Sequence, residues 1–181
     1  MVGNTSNGGY GGAVNAIYSD LSVEGGSFTS NSAAVGGVIY TYDTTAAISG
    51  ATFTGNTATA TEETNGGAIS AANATLTVTN CTFDGNSVSN GTATNNQNGG
   101  AIYANKTTLT VSKTTFTGNI TGYYGGAIAA NNGSTVSITG GSVSGSTGST
   151  GAALWFSGCA KVEMSSVSIT ENTSKSNGVV Y

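Results

Sequence analysis

Residues 99–119 read GGAIYANKTTLTVSKTTFTGN. Gly99-Gly100-Ala101-Ile102 opens the stretch, Leu109 and Val111 alternate with Thr and Ser in its middle, and Phe116-Thr117-Gly118-Asn119 closes it. Alternation with period two, in short runs separated by turn-forming residues, is the pattern of half-buried strands. A helix would repeat its apolar positions every three to four residues.

The same unit recurs along the chain. Its opening element returns as Gly11-Gly12-Ala13-Val14, Gly36-Gly37-Val38-Ile39, Gly66-Gly67-Ala68-Ile69 and Gly125-Gly126-Ala127-Ile128, and more loosely at 151–154 and 177–180. The closing element returns at 28–31, 53–56 and 83–86, with Val143 and Ile169 in place of Phe in the last two copies. From the second residue of the opening element to that aromatic or aliphatic position is 16 residues four times and 17 twice. The return path to the next opening element varies instead, at 4, 9, 12, 5, 4 and 4 residues. A body of constant length joined by one variable loop is the mark of a stacked solenoid, whose strands stay in register while one corner bulges.

These columns predict an all-β, right-handed parallel β-helix of about six three-strand coils, forming one domain over residues 1–181, cut from a longer protein. The inward columns are Val14, Ile39, Ile69, Ile102, Ile128 and Leu154 in the first strand, the pairs from Leu21/Val23 to Val162/Met164 in the second, and a partial Phe stack in the third. The Gly-Gly and Asn columns read as fold residues that make corners and satisfy turn backbone groups.

Composition agrees. Only 7% of the 181 residues are charged, against a usual share of about 25%. There is no Pro, His or Arg, and four Lys against eight carboxylates leave a formal charge of −4. Such a chain has no basic patch for nucleic acid or an anionic membrane. No segment reaches the ~20 apolar residues of a membrane span, so insertion by this segment is not expected. Cys81 and Cys159 fall three coils apart, too far for a disulfide.

The paired GGA[ILV] and FxxN elements resemble the repeats of the chlamydial polymorphic outer-membrane proteins and of related bacterial adhesin-like surface proteins. The resemblance implies a surface-exposed, extracellular β-helical passenger of the autotransporter type that serves adhesion. Its partners would be a host or cell-surface protein or glycan. No C-terminal barrel or signal peptide accompanies the repeats in this sequence.

The residues themselves point away from catalysis. Polysaccharide-cleaving enzymes need paired carboxylates or basic groups at one place, whereas Asp20, Glu24, Asp43, Asp84, Glu163 and Glu171 fall on different coils and columns, and Glu62-Glu63 lies in a variable loop. No catalytic, cofactor or metal site is expected. Three surface features are candidates for binding. Outside the third strand run T-x-T ladders that include Thr52, Thr54, Thr115 and Thr117, similar to the ice-binding faces of β-solenoid antifreeze proteins. Outside the first strand, Tyr40, Tyr103 and Trp155 share a column with Asn15, Ser70, Ala129 and Tyr181; exposed, they can stack on sugars or meet a protein, but partial covering by neighbouring loops is the favoured state. The corner insertions 57–65 and 87–98 collect on one edge, where solenoids build binding surfaces. The expected function is a non-enzymatic adhesin-like module, with ice binding and end-to-end self-assembly through uncapped strand edges as alternatives.

Overall fold

The computed structural model describes residues 1–59, 64–89 and 97–181. Among these, every regular element is a β-strand, and three six-stranded parallel sheets carry the molecule. The first sheet comprises Val14–Ile17, Ile39–Tyr42, Ile69–Ala72, Ile102–Asn105, Ile128–Asn131 and Leu154–Ser157. Its register pairs Ile39 with Ile69, Ile69 with Ile102, Ile102 with Ile128 and Ile128 with Leu154. The second and third sheets stack in the same order, so each strand pairs with its counterparts in the coils before and after. The columns expected from sequence are therefore the columns of the β-solenoid.

The three long sheets are supplemented by a further ladder, which the return path forms on its own. Thr5–Tyr10, Ser32–Val35, Thr57–Ala58 and Ser87–Val88 make a four-stranded parallel sheet, and Ile120 extends its line by bridges to Ser87 and Thr147. Thr64–Asn65 pairs with Gln97–Asn98, and Thr147–Thr150 with Thr173–Asn177. These strands are built mainly from small and polar residues, and several are two residues long, so no apolar alternation marks them. The described ends of the insertions 57–65 and 87–98 belong to these ladders, and residues 60–63 and 90–96, with Glu62-Glu63, lie outside the described residues.

Corners require the left-handed backbone. The two glycines of the opening element meet this in different ways. Gly66 has φ 70°, and a Cβ there would also run into the Ile69 carbonyl. Gly67 has an ordinary φ, but a Cβ would strike the Gly100 carbonyl of the next coil, so the chains approach too closely for a side chain. At the corner between the first and second strands, Asp43, Asn73, Lys106 and Asn132 take φ of 46–55° despite carrying side chains. The seventeenth residue of the last two coils enters at this corner. Three residues separate Ile128–Asn131 from Thr135–Thr139, where two separate Ile102–Asn105 from Thr108–Ser112.

The lumen is layered. Phe28, Phe53, Phe83 and Phe116 stack with centroids 4.9, 4.6 and 4.9 Å apart and rings within 9° of parallel. Where that stack gives way to Val143 and Ile169, Phe156 replaces the Ala16, Ala71, Ala104 and Ala130 of its inward column and fills the lumen from the opposite sheet. Beside the stack runs an Asn ladder. Asn31, Asn56 and Asn86 each donate, through backbone N and Nδ2, to the Oδ1 of the next Asn at 2.8–3.1 Å. Asn56, Asn86 and Asn119 also donate to the Phe28, Phe53 and Phe83 carbonyls. Ser146 interrupts the ladder, and Asn172 resumes it by accepting from the Ser146 backbone N.

Candidate functional site

The outward face of the first sheet places one side chain per coil in a straight column. The pairings Asn15–Tyr40, Tyr40–Ser70, Ser70–Tyr103, Tyr103–Ala129 and Ala129–Trp155 set large residues against small ones in alternate coils. Tyr40 and Tyr103 thus stand on either side of Ser70, two coils or about 9.6 Å apart.

A second column lies beside the first, formed by the residue that precedes each opening element. Tyr10 of this column meets Tyr40 with ring centroids 4.6 Å apart, and Tyr124 stacks on Trp155 at 4.6 Å and 20°. Between the two columns, over Ser70, opens a cleft of about 220 Å³. Tyr10, Tyr40 and Tyr103 supply its aromatic walls, Val35 and Ala72 its aliphatic surface, and Asn65, Ser70 and Asn105 its polar groups. Among the described residues, no charged one lines it.

The walls are held from behind. Asn105 Nδ2 donates to the Tyr103 hydroxyl at 3.2 Å, and that hydroxyl donates to Asn131 Oδ1 at 3.2 Å. Asn98 Nδ2 donates to Asn65 Oδ1 at 2.7 Å. Burial first, and then the neighbouring phenols of Tyr10 and Tyr42, push the Tyr40 phenol above its ordinary value. It therefore stays protonated and available as a donor.

The aromatics of this column are partly covered, the state favoured from sequence. Tyr103 is only 7% exposed, and Tyr40 and Trp155 are half-buried. Their rings lie along the face, covered in part by each other's columns, with the Tyr103 hydroxyl tied down by two amides. Of the three, Tyr40 and Tyr103 share the cleft, while Trp155 belongs to a separate stack two coils away. Sequence reading passed over Tyr10, Tyr124, Asn65 and Asn105. The position just before each Gly-Gly pair would have found the first three, since it recurs beside the aromatic column in every coil.

The threonine ladder stands on another sheet. Thr52 pairs with Thr82 and Thr82 with Thr115, while Asp84 separates Thr54 from Thr117 in the adjacent row. Thr52, Thr54 and Thr115 are half-buried and Thr117 is exposed. The second sheet presents a broader hydroxyl face, with rows Thr45–Thr75–Thr108–Thr135 and Ser49–Thr79–Ser112–Thr139.

Among the described residues no three carboxylates cluster, although Asp20 and Asp43 line one cleft with Tyr18, Ser19 and Thr45. Asp20 and Glu24 lie on the second sheet, Asp84 on the third, and Asp43 and Glu171 at left-handed corners. Glu163 pairs with Lys161 at 2.8 Å on the surface. Burial raises the Cys81 thiol above its ordinary value, and Cys81 Sγ lies 3.3 Å from the Thr79 carbonyl, which places it as a packed small hydrophobe.

Three segments, residues 50–72, 80–105 and 113–131, match the family model of the Chlamydia polymorphic membrane protein repeat. Each match runs from the third strand of one coil, through the Asn corner and return path, into the first strand of the next. No curated protein and no solved structure matches the chain.

Proposed function

We propose, from the premise that this chain is a β-solenoid of chlamydial polymorphic-membrane-protein-type repeats, that it is a non-enzymatic attachment module of an extracellular, cell-surface protein. The repeat family is associated with the outer membrane, and a solenoid with a sparsely charged, hydrogen-bonding surface fits the passenger of such a protein. The observation that carries the reading is the cleft over Ser70. There, aromatic rings, amides and a hydroxyl converge on one opening. Its titratable groups are phenols, one of them pushed further from acid–base use by burial. Recognition rather than turnover is the chemistry such a lining supports. The partner is a cell-surface protein or glycan.

Beads coated with the folded chain should attach to cultured epithelial cells well above albumin-coated beads, and soluble chain should compete the attachment away. Attachment no better than albumin would overturn the reading.

A second reading rests on the hydroxyl rows of the second and third sheets, which repeat at the coil spacing as an ice-binding face would. Asp84 within the third-sheet ladder, and the half-burial of most of its threonines, favour attachment over ice.

A further inference from the structure

We propose that the cleft over Ser70 is a binding site for a single neutral pyranose ring, the terminal sugar of a surface glycan. This rests on the attachment reading above and gives that reading a ligand class.

Size comes first. At about 220 Å³ the cleft falls below the ~300–1,000 Å³ of sites for drug-sized ligands. It has room for one sugar ring and not for a folded peptide. Lining chemistry comes second. A pyranose offers an apolar face of C–H groups and a rim of hydroxyls, so it needs an aromatic wall and nearby amide or hydroxyl partners. Tyr10, Tyr40 and Tyr103 supply the wall; Ser70, Asn65 and Asn105 supply the rim. Charge comes third. Among the described residues the lining holds no Lys, Asp or Glu and no cation to offset the desolvation of a carboxylate, which disfavours sialic and uronic acids and favours neutral hexoses and N-acetylhexosamines.

Rigidity adds to this. The cleft floor is the paired backbone of three successive strands of the first sheet, and the Tyr103 ring is fixed by its bonds to Asn105 and Asn131. Few side chains have to be ordered on binding, so even one small ring can be held. The gap itself is written in the column: Ser70 sits where the flanking coils carry Tyr40 and Tyr103, and a large residue at that one position would close it.

That arrangement provides the test. Saturation-transfer NMR on the full chain, with the methyl glycosides of glucose, galactose, mannose and N-acetylglucosamine and with N-acetylneuraminic acid as probes, should show transfer to at least one neutral glycoside and none to the acid. Affinity should lie in the millimolar range. Ser70→Tyr copies the residue of both neighbouring coils, should fold as the parent does by circular dichroism, and should abolish the transfer. Tyr40→Leu, which keeps apolar volume but loses the ring, should weaken binding about tenfold or more and provides the same test if Ser70→Tyr fails to fold. No transfer to any neutral glycoside, equal transfer to the acid, or full binding in either folded variant overturns the proposal. Bead attachment that persists without glycoside binding would leave the attachment reading standing and this inference refuted. Glycoside binding without bead attachment would do the reverse.

Discussion

Thr41 occupies the inward position held by Ala16 and Ala71 in the adjoining coils, and its Oγ1 is buried without a hydrogen-bond partner. A hydroxyl stripped of water and left unpaired costs about 1–3 kcal/mol. Valine has the same shape without the oxygen. Thr41→Val should therefore raise the free energy of unfolding by about 1 kcal/mol in urea titrations at unchanged slope. A loss of stability would mean that the hydroxyl has a partner. Such a residue also shows where sequence reading stops: Thr41 lies between Tyr40 and Tyr42 and reads as one more polar strand position, although it points into the lumen.

At the scale of the element, the Asn corner is a continuous hydrogen-bonded rail with one break. Ser146 is too short to reach the Phe116 carbonyl or to receive the Asn119 backbone N–H, whereas its counterpart one coil earlier, Asn119, donates to the Phe83 carbonyl and accepts from the Asn86 backbone N. Ser146→Asn should restore both contacts, adding about 1 kcal/mol and raising the melting temperature by about 2–4 °C. A lowered melting temperature would show that the fifth coil has closed over the position. Elements with large side chains were legible in advance. Ile, Leu and Phe at period two gave the three long sheets and their register, and the Phe stack followed from Phe28, Phe53, Phe83 and Phe116 alone. The fourth ladder was not legible, because segments such as Ser32–Val35 are short and rich in Ser and Ala. The cleft was legible by half. Tyr40 and Tyr103 share a visible column, but Tyr10 reaches it from the return path of the previous coil, a contact that exists only once the coils are stacked.

Across the whole molecule, the hydroxyl rows of the second and third sheets compete with the aromatic cleft as the working surface. An ice-binding face has to be flat and unbroken over several coils. The third sheet carries Asp84 in its row, and Ser142 and Ser144 replace threonine one coil beyond Thr115 and Thr117. Nanolitre osmometry should accordingly find no thermal hysteresis and no crystal shaping by the intact chain, with no change in Thr54→Tyr. Hysteresis that Thr54→Tyr abolishes would move the function to the third sheet, and hysteresis lost in Thr110→Tyr would move it to the second. The parallel ladders carry one more consequence, a mechanical one. Their hydrogen bonds join each coil to the next and point along the axis, so a pull along that axis loads the interfaces between coils in series. The outermost interface yields first and sheds one loop of chain, and the rest stays wound. A molecule built this way lengthens under tension in steps, dissipating work at each, in the manner of a tether that gives without letting go.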